Sequence, residues 1–180
     1  MTPNRQRVLD AAIDLAGTQG LRALTHARID RHAGLAQGSA SNYFRTRQAL
    51  LEGVVARLAE LELPEVDAAF APATPEALVD ALCAQFDYMT KEARTRTSAR
   101  LVLFLEAGHV PELGAALTRG RAALEAVGVV ALARLGAADP QGATAALAAC
   151  FEGLVLHRIA RGDETDPRPA FELVVRAALG

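Results

Sequence analysis

Apolar residues recur along nearly the whole chain at three- and four-residue spacing, the period of a helix with one buried face. Val8, Leu9, Ala12, Ile13 and Ala16 set the first such stripe and predict a helix from Pro3 to Gln19, loosened at its end by Gly17 and Gly20. A helix from His26 to Ala33 follows, with Thr25 as its capping hydroxyl and Ile29 and Ala33 on one side. Gly34 stands where a helix end commonly turns left-handed, and Leu35 should tuck back under the corner. The next helix, Gln37 to Tyr43, spans only about two turns, too few to be stable without its neighbours. Leu50, Leu51, Val54, Val55, Leu58 and Leu61 then form a long stripe from Arg47 to about Leu63, which Pro64 is expected to end.

The second half has the same period. Thr74-Pro75-Glu76 combines a capping hydroxyl, a proline at the first helical position and an acid in the first turn, and opens a helix to about Ala93. Thr97 is expected to cap the apolar segment LVLFLEAG, and Val110-Pro111-Glu112 to open a helix reaching about Leu135, with a break or kink near Gly120 or Gly128. Asp139-Pro140 starts another helix by the cap-and-proline device, and a last one runs from about Pro167. The fold class is therefore all-α, with PEVDAAFAPATPE as the boundary between a head and a body.

Residues 24–51, LTHARIDRHAGLAQGSASNYFRTRQALL, pair two short helices across a glycine corner, which is the outline of a helix-turn-helix. The stretch resembles the DNA-binding segment of the TetR family of transcriptional regulators, and the resemblance extends back to Arg5. Gly20, Leu24, Thr25, Ala33, Gly34, Leu35, Gly38, Ser39, Tyr43, Phe44, Arg47, Leu50 and Leu51 stand where the family pattern places them. It departs at Ala36, where a capping Ser or Thr is common, and at Ala40 and Ser41, where a bulky apolar residue and a tyrosine are frequent.

The resemblance implies a three-helix DNA-binding head over residues 1–46 and a helical ligand-binding and dimerisation body over residues 47–180, linked by the helix from Arg47. It implies Gln37, Gly38 and Ser41 as contacts to bases, and His26, Ser39, Asn42, Tyr43, Thr46 and Arg47 as contacts to phosphates. The expected partners are a double-stranded, partly palindromic operator, a small-molecule effector and a second copy of the chain.

Charge supports a polar division of labour. The net charge is -2, but residues 1–47 hold seven arginines against three aspartates, a net +4, which leaves -6 on the remainder. A basic head on an acidic body suits docking to phosphate. Arg5 and Arg7 sit at the amino end, where they could reach a phosphate or a minor groove or equally be an ordinary solvated terminus. Arg47 opens a helix, where a cation opposes the dipole, so DNA contact is the expected reason for it.

Within the body, Glu106 is a lone acid in an apolar segment, followed by His109. Together with Phe86, Met89, Leu103 and Phe104 it is a candidate ligand pocket, though it could equally pair with a core arginine or face solvent. Ala146, Ala149 and Gly153 make a small-residue face, and Phe171, Val174, Val175 and Ala178 a stripe on the last helix; the two could bury each other across a two-fold axis. Cys83 and Cys150 lack a CxxC spacing and read as buried free thiols, with a thiol sensor as the alternative.

No nucleophile–base pair, metal spacing or phosphate loop is visible, so no catalytic residue, metal or cofactor is expected. No uncharged apolar run reaches the about 18 residues needed to span a bilayer, and no charged-then-apolar leader opens the sequence, so a cytoplasmic protein without a membrane is expected. Two other readings stay open: a helical small-molecule binding protein or enzyme with a vestigial helix-turn-helix, and a dimeric module that binds another protein through its basic head.

Overall fold

The computed structural model describes residues 3–69 and 72–180, and is helical throughout, with no strand among the described residues. In chain order the helices are α1 (Pro3–Gln19), α2 (His26–His32), α3 (Ser39–Tyr43), α4 (Arg47–Ala69), α5 (Pro75–Thr90), α6 (Arg94–Ala107), α7 (Pro111–Arg134), α8 (Pro140–Arg161) and α9 (Arg168–Leu179), with a single 3-10 turn at Leu21–Ala23.

They gather into two compact units. The first holds Met1–Leu61 and Arg94–Gly120, the second Glu62–Ala93 and Arg121–Gly180. This grouping differs from a division at residue 46, because the α4 stripe of Leu50, Leu51, Val54, Val55 and Leu58 is buried in one core with Val8, Leu9, Ile13 and Ile29 of the helix-turn-helix, joined by Ala99, Leu103 and Leu113. Burial of each such side chain contributes on the order of 2 kcal/mol, enough to hold helices as short as α2 and α3.

Three contacts organise the first unit. A Cβ on Gly17 would fall inside the carbonyl oxygen of Thr95, so α1 and α6 cross here with backbone nearly touching backbone. At Gly53 a Cβ would lie 2.6 Å from Phe44 Cε1, which lets the aromatic ring close the corner between α3 and α4. Arg57 ties α4 to α1 by donating to Asp10 at 2.9 Å, while also pairing with Glu60 at 3.2 Å. Those carboxylates hold the guanidinium more firmly protonated, the hydrogen bond to Asp10 contributing most.

In the second unit, Phe86, Phe151 and Phe171 meet around one centre, with Phe151 and Phe171 stacked at 5.6 Å and Phe86 edge-on to both. Arg158 lies over the Phe86 ring at 4.9 Å and donates to the carbonyls of Asp163 and Thr165, which fastens the loop before α9. Gly128 accepts the close approach of Thr144, whose Cγ2 would stand 2.8 Å from a Cβ there. Arg121 bridges α7 and α8 by pairing with Glu125 at 2.6 Å and Glu152 at 3.3 Å. By length and composition α8 could cross a membrane, yet Glu152 sits within it, held by Arg121.

Several local expectations are met. Thr74 and Asp139 cap α5 and α8 by accepting the N–H groups of Ala77 and Gly142, and Gly34 takes φ 61° past the end of α2. Others are corrected. Proline at position 64 does not end α4, which runs on to Ala69, although Phe70 and Ala71 of the expected boundary lie outside the described residues. Once several turns precede it, a helix can carry on past a missing N–H with a local adjustment. Thr97 is buried inside α6 rather than capping it, because the polar run from Arg94 already forms helix. α7 continues through its glycines as one helix, which removes the break, though not the kink, expected near Gly120 or Gly128. Thr25 precedes α2 without a capping hydrogen bond from its side chain.

Candidate nucleic-acid interface

The short α3 is positioned from outside itself. Gly38 adopts φ 90° at its amino end, a left-handed conformation that glycine takes without strain. Ala36 offers no capping oxygen, and the need is met by Asp30 of α2 instead. Its buried carboxylate accepts the N–H of Gly38 at 2.8 Å through one oxygen and that of Ala40 at 2.7 Å through the other. Ala40 and Phe44, four residues apart, face inward and are buried, so α3 has one fixed orientation. Asp30 was not singled out from the sequence. The signal was the missing cap: the orphan N–H groups of α3 must find an acceptor, and the acid on the facing helix is that acceptor.

The surface turned outward is made of small and polar groups. Gln37, Asn42 and Tyr43 are exposed, and Gly38, Ser39 and Ser41 half-buried, so the residues expected to touch DNA on α3 and on the turn before it all keep surface open to solvent. The two serine hydroxyls are already engaged, Ser39 donating to Ala36 O at 2.6 Å and Ser41 to Gly38 O at 2.9 Å. In the chain on either side of α3, Arg22, Arg28, Arg31, Arg45 and Arg47 are exposed, Arg28 donating to Gln19 Oε1.

Other candidates prove to have structural tasks. Arg47 donates to the carbonyls of Leu24 at 3.3 Å and Leu21 at 3.2 Å, so a helix start does have a structural reason to carry this cation: it anchors the turn that leads into α2. Thr46 caps α4 by accepting the Ala49 N–H at 3.1 Å. His26 is half-buried with Nε2 enclosed and unpartnered, so a contact from it would use Nδ1. Arg7 is not free: it donates to Ala33 O at 2.6 Å and closes the end of α2. Arg5 lies over the Phe44 ring at 5.0 Å.

The residues expected to line a ligand pocket are divided between the units. Phe86 and Met89 belong to the second, where Phe86 is enclosed by its aromatic partners; Leu103, Phe104, Glu106 and His109 belong to the first. There Leu103 is core, Glu106 half-buried, His109 exposed and Phe104 54% exposed. Of the expected interface residues, Ala146 and Ala149 are exposed on α8, and Gly153, Val174 and Ala178 are half-buried. Phe171 and Val175 are instead buried within their own unit, because the α9 stripe turns toward α5 and α8 of the same chain. The large apolar side chains that α8 and α9 do present outward are Leu156 and Leu173.

Among the described residues no group of three or more His, Cys, Asp or Glu could hold a metal. Cys83 and Cys150 are half-buried, and burial pushes both thiols up from their ordinary range, for Cys83 against an opposing pull from Arg168. Less thiolate at neutral pH means slower chemistry. Alkylation by iodoacetamide at pH 7.5 is expected to be several times slower than that of glutathione, and to accelerate as pH rises; a rate faster than glutathione's would show activated thiols.

Comparison with known proteins gives the same outline. The family model described as "Bacterial regulatory proteins, tetR family" matches residues 8–54, and that described as "Tetracyclin repressor-like, C-terminal domain" matches residues 73–180. No curated protein matches the chain. Among solved structures, the multidrug binding protein EbrR complexed with ethidium is 26% identical over 97% of this chain and 98% of its own, with a TM-score of 0.77. A TetR family member from Streptomyces coelicolor A3 is 26% identical over 98% of this chain and 99% of its own, also with a TM-score of 0.77. A TetR transcription regulator from Haloarcula marismortui shares the fold at a TM-score of 0.84 and 15% identity, each chain covered completely at 100%.

Proposed function

The chain belongs to the TetR family of transcriptional regulators, and from that premise we propose that it is a cytoplasmic, homodimeric, ligand-responsive repressor of a partly palindromic operator. The observation that carries this reading is α3, fixed in orientation by Asp30 and Ala40, with Arg31 before it and Arg45 after it in the chain both exposed. Gln37, Gly38 and Ser41 would reach base edges, while Ser39, Asn42, Tyr43, Thr46, Arg47 and Nδ1 of His26 would reach the backbone. Phosphate contacts fix register and base contacts specify sequence. Two such heads would enter successive major-groove faces with half-sites about one helical turn or more apart.

Residues 1–46 would read DNA, and residues 47–180, through α4 and beyond, would bind the effector and the second copy. Ala146, Ala149, Leu156 and Leu173 give α8 and α9 an exposed apolar surface that a partner's helices would cover. The effector would be an apolar compound of modest size; EbrR binds ethidium, a flat aromatic cation, which supports the modest size and the apolar ring surface but not the absence of charge. It would act by preferring the conformation in which the two heads are mis-spaced, since only differential affinity moves such an equilibrium.

The test is selection of bound duplexes from a random pool by the purified full chain at near-physiological salt. An enriched inverted repeat is expected, bound by a dimer in sedimentation, with affinity falling steeply as salt rises. A folded protein that enriches nothing, and holds random duplex no better at low salt than at high, would remove the reading.

A further inference from the structure

The polar groups on α3 and the turn before it are not equally available. Ser39 and Ser41 give their protons to Ala36 O and Gly38 O, so each hydroxyl is left as an acceptor alone. Gln37 and Asn42 are exposed, and neither carboxamide engages another described residue. No Lys, Arg, Asp or Glu occurs from His32 to Phe44. This stretch therefore presents two primary amides and no charge.

A carboxamide carries an acceptor and a donor side by side in one plane. In the major groove adenine matches that pair, since its N7 accepts and its N6 amino group donates. Guanine shows two acceptors there, which suit a guanidinium or ammonium, and α3 has neither. Gly38 and Ser39 add little bulk between the amides, so the stretch can lie close to the base edges.

Resting on the reading of α3 as the recognition helix, we propose that Gln37 and Asn42 each bind the adenine of an A·T pair through N6 and N7, so that adenines rather than guanines define the half-site beneath α3. Asn42 thereby becomes a specificity-determining residue rather than a phosphate contact. Because Asp30 holds α3 through backbone N–H groups, neither amide is needed for folding.

The experiment uses the full chain, its Gln37→Ala and Asn42→Ala variants, and duplexes carrying the selected sequence. In one set each adenine under α3 is replaced in turn by 7-deazaadenine, which lacks the N7 acceptor. The selected half-site is expected to hold adenine at two positions, and each deaza replacement to weaken the unaltered protein between about 5-fold and about 150-fold. Asn42→Ala should be indifferent to the replacement at one position and still sensitive at the other, with Gln37→Ala showing the reverse. Both variants should keep the circular dichroism and the unfolding midpoint of the parent. Guanines at the invariant positions, or a loss that is uniform over all duplexes, would overturn the proposal while leaving the regulator reading intact. Absence of any salt-dependent DNA affinity would overturn both.

Discussion

Asp30→Ala is expected to cost about 3 kcal/mol of stability and to reduce operator affinity more than about ten-fold, measured by denaturant unfolding and by titration of the selected duplex. The carboxylate is buried and receives two backbone N–H groups, that of Ala40 in a buried position. Alanine would leave both donors without an acceptor, and a buried unsatisfied donor loses its hydration with nothing in return. Hydrogen bonds to an ionised acceptor are about twice as strong as neutral ones, which is why one side chain carries this much. Asp30→Asn should recover part of the loss, since its single carbonyl oxygen can accept one N–H while its amino group faces the other. An unchanged unfolding midpoint in Asp30→Ala would show that α3 is held by Ala40 and Phe44 packing alone.

Gly17→Ala is the second large effect expected, at about 2–3 kcal/mol, the usual cost of forcing a methyl into a filled contact. The neighbour it would meet is the main-chain carbonyl of Thr95, which cannot rotate away as a flexible side chain would. Relief requires α1 and α6 to separate, and with them the packing of Ala12 and Ala16 in the same core. Gly20→Ala serves as the control. That position has φ 75° but open space around it, so it should show only the smaller backbone strain. Equal losses at the two positions would mean that conformation, not close approach, sets the need for glycine at 17.

Most of the fold could be read from the chain because its signals are local. A capping oxygen followed by proline, as at Thr74 and Asp139, acts within four residues, and Gly34 turns the corner by its own backbone freedom. The resemblance in residues 24–51 added the role of α3. What the chain did not reveal depends on partners far away in sequence. Arg7 and Arg47 look like spare cations until the carbonyls they bind, 26 residues away at Ala33 and 26 at Leu21, are in place. The Asp30 cap spans eight and ten residues and crosses the corner. A stripe such as Phe171, Val174, Val175 and Ala178 says that a face will be buried, but not whether its own chain or a second copy will bury it. Here Phe171 and Val175 are taken up internally, and Leu156 and Leu173, which belong to no clear stripe, remain outside.

The location of the α3 anchor also bears on how such a protein can change its target. Asp30 belongs to a different helix, and it grips main chain rather than side chains. The geometry of α3 thus owes little to the identities of residues 37, 39, 41 and 42, whereas Gly38 and Ala40 are held by left-handed backbone and by burial. On the proposed reading of α3, retargeting, whether by drift in a lineage or in a designed library, would vary those four positions and keep Asp30, Gly38 and Ala40 constant. Each new set of side chains would be delivered on the same platform, so a change of operator need not begin with a loss of fold.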